Sequence, residues 1–381
     1  MQKIIFRQND HPLIILYFPQ QIDQLIHFCS RNPLNGPLST LGIDTTFNVS
    51  AYYATVSVFK NTAVFRRSDS RYNSPVMLGP ILLSSDQKEK TFREFLSEIR
   101  NAILDARKDA AFPTCEILNV GSDQDKALTN AIQTVFPDST KFLCIQHLRD
   151  DFERFLRDKL GVPVSERGKI SHIAFSPLRE NNAGDSLNSL ESTLSTYLGN
   201  SEKDQKIREY FRKNILSNLI AQMENASHFP TETEFWTNNQ CESMNRVIKT
   251  ICNWEPQSIS DLVSKLQTHI AAHLTDLRRA LFNEGQFALR PPYSAFALNR
   301  ERWFSLSPQN RQQHFLAFLR GNPKSIPGMY ETSSDGLIQL PKKSSLAKKP
   351  SSHRRAPAHK HPARPILKAN RKINRFPVDA L

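Results

Sequence analysis

Three β-rich segments in close succession, followed by alternating helix and strand signals, limit most strongly what this chain can fold into. STLGIDTTFNVS, AYYATVSVF and PVMLGPILLS are rich in β-branched and aromatic residues and are spaced as a meander would be. KEKTFREFLSEIRNAILDARKDA comes next, with Phe92, Phe95, Leu96, Ile99, Ile103 and Leu104 on one helical face. Strand CEILNVG, helix DKALTNAIQTVF ended by Pro137, strand KFLCI and the long helix QHLRDDFERFLRDKL complete the series. Ahead of them lie apolar runs at Lys3 to Phe6 and Leu13 to Phe18 and the helical period of QQIDQLIHFC. A meander giving way to alternating elements predicts an α/β fold, a mixed sheet with helices on its faces.

The pattern breaks after Gly161. Ile170 to Phe235 reads as helices interrupted by the polar stretch RENNAGDSLNSLESTLSTYLGNS, an α-helical insertion between two parts of one core. The expected organisation is a lead-in at 1–36, a first core part at 37–160, the insertion at 161–235 and a last core part at 236–280. A C-terminal helical segment at 281–335 contains the proline-broken QFALRPPYSAFALNRERWF, and a basic tail at 336–381 closes the chain.

Charge singles out that tail. Pro341 to Leu381 holds 12 Lys and Arg against one acid, Asp379, and so supplies +11 of the formal +13, leaving +2 for the first 340 residues. Rich in Pro, Ser and Ala, it lacks the apolar residues for a core and is expected to be disordered. Lys342, Lys343, Lys348, Lys349, Arg354 and Arg355 are its candidate nucleic-acid contacts, or the signal read by nuclear import machinery. A merely solubilising tail is the plainer alternative. No apolar run approaches the roughly 18 residues of a membrane span, and Met1 to Arg7 opens no signal peptide. Five scattered cysteines, Cys29, Cys115, Cys144, Cys241 and Cys252, do not resemble a disulfide framework and suggest a reducing compartment.

Three acids are the candidate catalytic and metal-ligating residues. Alternation along Leu41 to Phe47 puts Asp44 on a face with Gly42 and Thr46, where a strand carboxylate is costly to desolvate unless paired, hydrogen-bonded or bound to metal. An exposed strand face is the ordinary alternative. Asp123 ends a strand and precedes a helix, the position where α/β folds place ligands, although a helix N-cap explains it too and Asp125 rivals it. Glu242 stands three residues after Asn239, the spacing of a capping box, with Asn245, Arg246 and Lys249 on nearby turns. Two aspartates and a glutamate gathered together can hold two Mg²⁺ or Mn²⁺ ions.

Histidine and tryptophan add secondary candidates. Cys144-x-x-His147 and His269-x-x-x-His273 have zinc-like spacings, but the pairs lie far apart on different elements, so a packed thiol and packed or site-orienting histidines are the expected roles. Trp236 precedes the Glu242 helix and is expected to pack, with base stacking as the alternative.

Taken together, LGIDTTFNVSAYYATV, PVMLGPILLS with TFREFL, GSDQDKALTNAIQTVFP, FLCIQHL and TNNQCESMNRVIK resemble the successive blocks of the Mutator-like (MULE) transposase domain over roughly Leu13 to Trp254. The resemblance implies a ribonuclease H-like fold with Asp44, Asp123 and Glu242 as the catalytic triad binding two Mg²⁺ or Mn²⁺. Cys144 and His147 match that family's Cys-x-x-His, and Asn239 and Asn245 flank the third acid. It further implies hydrolytic nicking and strand transfer on DNA, action in the nucleus, and assembly as a homodimer or larger synaptic complex. The zinc modules usual at either end of such transposases find no counterpart: only some 40 residues precede Asp44 and the tail has three histidines but no cysteine. A domesticated, non-catalytic DNA-binding protein is the alternative.

Overall fold

The computed structural model describes residues 3–7, 13–30, 39–107, 117, 119–175, 194, 197–199, 201–228, 236–321, 331–332 and 338–339. Within residues 1–329 the chain builds a seven-stranded mixed sheet. The strands are β1 (Lys3–Arg7), β2 (Leu13–Tyr17), β3 (Leu41–Thr46), β4 (Tyr53–Lys60), β6 (Val76–Ser84), β7 (Asn119–Ser122) and β8 (Thr140–Leu143), in the order β1-β2-β6-β4-β3-β7-β8. The short β5 (Val64–Arg66) lies outside it. β4 runs antiparallel to both β3 and β6, and β7 and β8 run parallel to β3. β2 pairs antiparallel with β6 and β1 with β2, so the N-terminal strands extend the same sheet.

The meander residues are strand formers because the sheet buries them on both sides. Six consecutive residues of β4, Ala54 to Phe59, are buried, which requires a layer on each face. α1 (Pro19–Cys29) packs on β4 and β6 and α2 (Glu89–Ala106) on β6 and α1, whereas the helix over β3 and β4 is α8 (Asn239–Ile251). α3 (Lys126–Val135) lies against α2 and β7, with Leu128, Ala131, Ile132 and Val135 buried. One apolar core joins these layers through Phe28, Phe59, Phe92, Phe95 and Phe142.

A second core belongs to helices that depart after β8. α4 (Ile145–Asp158), α5 (Val164–Ala174), α6 (Glu202–Phe211) and α7 (Ser217–His228) contribute Phe152, Leu156, Ile170, Phe211 and Leu219. Between α6 and α7 the helix widens into a π-helical segment, Arg212–Leu216. The chain then returns to the sheet at Trp236 and α8.

Residues after α8 close the body. α9 (Ile259–Ala280) buries Leu262, Leu266, Ile270, Leu274 and Leu277 on one stripe and leads to β9 (Phe287–Leu289), which pairs with β5. α10 (Arg300–Ser305) and α11 (Pro308–Leu319) follow, and Arg320 after α11 donates to the buried Asp23 of α1 over 2.8 Å. Residues 330–381 form a separate unit, of which the described part is an antiparallel pair, β10 (Glu331–Thr332) with β11 (Ile338–Gln339). The expected tail contacts Lys342, Lys343, Lys348, Lys349, Arg354 and Arg355 lie outside the described residues. Among those described, no helix is long and apolar enough to cross a membrane.

Candidate active site

Parallel pairing of β3 with β7 sets the first two acids side by side. Ile43 is opposite Ser122, so Asp44 and Asp123 are the next residues along two adjacent strands. The third comes from above. α8 lies so close over β3 that a Cβ on Gly42 would stand 2.8 Å from Cys241 Sγ, and Glu242 follows Cys241 in the first helical turn.

The ordinary alternatives for these acids are taken by other residues. The N-cap of α3 is Asp125, whose Oδ1 accepts from Leu128 N at 2.6 Å. Asp123 Oδ1 instead accepts from Asp125 N at 3.1 Å. No capping box forms at Glu242: α8 starts at Asn239, its N-cap Asn238 makes no side-chain cap, and Glu242 is exposed. Asp44 is not on an open strand face, because α8 covers it.

Electrostatics link the three acids. The Asp44 carboxyl is pushed up to about 6, chiefly by burial and then by the charge of Asp123, with a smaller push from Glu242. Hydrogen bonds from the Asn238 side chain and the Thr45 backbone oppose the rise. Asn245, one turn after Glu242, donates Nδ2 to Asp44 Oδ2 at 2.7 Å. Cys241 is fully buried beneath them. Its thiol is driven well above its usual range by burial, then by Asp44, with further contributions from Cys144, Asp123 and Glu242.

A framework of buried contacts fixes this corner. Cys144, the N-cap of α4, accepts the Asn238 N–H on Sγ at 3.2 Å, joining the end of β8 to the start of α8. Trp236 packs rather than stacks on a base: its indole lies flat on Gly121 of β7, where a Cβ would fall 2.1 Å from the ring. Gln222 of α7 accepts from Trp236 N at 2.8 Å and donates to Leu143 O at 2.9 Å, so the helical insertion is bonded to both β8 and the lead-in to α8.

Two site residues were not foreseen. Asn238, rather than the exposed Asn239, reaches Asp44, because α8 starts one residue earlier than a cap at Asn239 would require. The Asn-Asn pair was visible; which amide turns inward was not. Lys141 on β8 is half-buried, donates to Thr129 Oγ1 and feels Asp123 and Asp125; burial lowers its ammonium to about 8. Its signal, one lysine in a four-residue strand, was too slight to read.

Unsatisfied oxygens mark the same corner. Asn238 Oδ1 and Asn245 Oδ1 are buried without hydrogen-bond partners; on α4, His147 Nδ1 is buried without one too. Carboxylates and spare amide oxygens are the hard-oxygen donors that Mg²⁺ and Mn²⁺ take. Among the described residues, no three His, Cys, Asp or Glu side chains are gathered closely enough to hold one metal ion as they stand. His269 and His273 lie in another cleft, of about 480 Å³, bounded by α8 and residues 66–76. Their rings are 4.3 Å apart, and burial lowers both, His273 to about 4. No protein-family model matches the chain, and no curated protein matches it.

Proposed function

We propose that the chain is a DNA transposase of the MULE type that cuts and joins phosphodiester bonds with Asp44, Asp123 and Glu242. The single observation that carries the reading is the placement of Asp44 and Asp123 on paired parallel strands under the helix that bears Glu242 and bonds Asp44 through Asn245, with the Asp44 carboxyl raised by burial and then by repulsion from acids 79 and 198 residues along the chain. Such repulsion costs stability and has no structural use in the bare fold; a bound cation offsets it. Support for a ribonuclease H-like frame comes from the run β6-β4-β3-β7-β8, an antiparallel meander continued by two parallel strands. The first acid is on the central strand, the second follows its parallel neighbour, and the third rides a helix that returns after an insertion.

In this reading the three acids would hold Mg²⁺ or Mn²⁺, with Asn238 and Asn245 Oδ1 as neutral oxygens beside them. When bound, two such ions activate the attacking oxygen and stabilise the leaving one. The chain's own part is positioning. Asn238 and Asn245 orient the Asp44 carboxylate, the Trp236 seat fixes the height of α8, and Gln222 anchors both to the insertion. The basic tail supplies phosphate contacts and nuclear import, and pairing of two transposon ends calls for a dimer or larger assembly.

The test is nicking of supercoiled DNA by purified protein in Mg²⁺ or Mn²⁺. Wild type cuts, and Asp44→Asn, Asp123→Asn and Glu242→Gln each do not. Equal cutting by wild type and variants rejects the triad. A second reading, a DNA-binding protein without chemistry, is favoured by the carboxylates not being gathered around one point, and an inactive wild type that still binds DNA selects it.

A further inference from the structure

We infer that Phe47, Lys249 and Trp254 form a platform for the unpaired bases of a DNA strand leading to the three acids. The choice of DNA rests on the proposed function; the platform itself rests on four observations.

First, large aromatics are exposed here without a packing role that explains them. Phe47 is 57% and Trp254 62% exposed, whereas Trp236 and Trp303 are only 5% and 3% exposed. Second, the backbone is bent to hold them out. Asn253 and Trp254 both have left-handed φ, 55° and 61°, and Asn48 beside Phe47 has 63°. A bulky side chain ordinarily avoids that region, and such outliers persist where surrounding bonds over-determine them.

Third, those bonds are present. Trp254 N donates to Lys249 O at 2.7 Å, and Gln257 N donates to Val49 O at 2.8 Å, joining the Phe47 and Trp254 loops. The Gln257 side chain donates to Cys252 O and Glu255 O, and Lys265 Nζ donates to Gln257 Oε1. Rigid aromatics bind with less ordering cost than mobile ones.

Fourth, charge and direction fit a nucleic-acid strand. Lys249 Nζ stands 5.1 Å from the Phe47 ring centroid, a cation against an exposed π-face, and its carbonyl holds the Trp254 backbone. Glu242, Asn245 and Lys249 share one face of α8 at helical spacing, so the platform continues the acid-bearing face. Seven residues of helix place Lys249 about 10 Å beyond Glu242, roughly three base steps of a strand. Aromatic faces accept any base, which suits strand ends of varied sequence.

The test uses the full chain in EDTA and a labelled oligothymidylate of roughly twelve nucleotides, with excess unlabelled duplex to occupy the basic tail. Intrinsic fluorescence reports directly, since Trp254 is the exposed one of three tryptophans. Oligothymidylate quenches wild type. Trp254→Ala and Phe47→Ala each weaken binding by about 5- to 100-fold, and Trp254→Tyr restores it. Trp254→Gly, which relieves the left-handed backbone, leaves the Tm equal or higher while losing the same affinity. The platform is overturned if the Ala variants bind oligothymidylate as wild type does, or if they lose duplex and single-strand binding equally. It is also overturned if Trp254→Gly loses stability but not affinity. Because no metal is present, these outcomes stand apart from nicking: a dead triad leaves the platform intact, and a failed platform leaves the triad open.

Discussion

Asn245 donates its amide Nδ2 to Asp44 Oδ2 across 2.7 Å, tying a helix to a strand 201 residues earlier in the chain. That bond holds the one carboxyl most burdened by its surroundings, and its strength changes with the ionisation of Asp44. Removing the charge while keeping an acceptor is therefore informative about both stability and cation binding.

Asp44→Asn should stabilise the metal-free protein at neutral pH by on the order of 1–3 kcal/mol. Its folded pKa, about 6, lies above the ordinary 3.8, so wild type takes up protons on folding between those values. The destabilisation is absent below about pH 4 and complete above about pH 6, so the advantage of the variant opens as pH rises through that window. Denaturant melts at pH 4, 5 and 8 in EDTA check it. Mn²⁺ should raise the Tm of wild type at pH 8, lose that effect as pH falls through 6, and leave the variant unmoved.

Acid acts in the opposite sense on His27. Burial lowers it from 6.5 to about 4 while its Nε2 meets Tyr293 Oη at 2.9 Å. Stability from keeping this ring neutral is present above about pH 6.5 and is lost as pH falls towards 4. His27→Phe should flatten that acid limb, at a neutral-pH cost of about 1 kcal/mol for the tyrosine's lost partner. An unchanged slope between pH 7 and 4.5 would assign the limb to His273 and the other histidines.

Gly121→Ala should destabilise by about 2–4 kcal/mol and abolish nicking, because the new methyl lands in the Trp236 ring and the start of α8 must lift. Gly168→Ala, in the exposed interior of α5 with nothing within 4 Å, should instead stabilise by about 0.5–1 kcal/mol and leave activity unchanged. Thermal melts and nicking assays on the pair check both.

Deleting 341–381 should remove most non-specific duplex affinity and flatten its salt dependence, each phosphate contact accounting for a slope of about 0.9 in log–log form. Anisotropy titrations over a salt series measure it. Nicking at low salt and high DNA concentration should survive.

Much of the sheet was legible because strand and helix periods differ and this chain keeps them cleanly separate. Phe92, Phe95, Leu96, Ile99 and Ile103 of α2 are all buried on the stripe read from spacing. β5 and β9 were not legible: each is three residues long, and their pairing joins segments more than 200 residues apart. At the candidate site, Asp44, Asp123 and Glu242 could each be named, yet each also fitted a local backbone role. Only the structure assigns the α3 cap to Asp125 and leaves Asp123 uncapped. The inward turn of Asn238 and the Trp236 seat on Gly121 depend on how α8 settles on the sheet, which no local pattern encodes.

Ile207, Phe211, Ile215, Leu219 and Met223 are all buried, a strict four-residue repeat running from α6 into α7. In a plain α-helix each four-residue step drifts by about 40°, so such a row would wind off its own side within a few turns. The wide turn at Arg212–Leu216 takes up that drift, resetting the phase so that Gln222 arrives facing Leu143 and Trp236. Shortening the segment by one residue would give a more regular helix and rotate everything beyond it by about 100°. Gln222 would swing away, and the insertion would remain folded but unlatched from the end of β8 and the lead-in to α8.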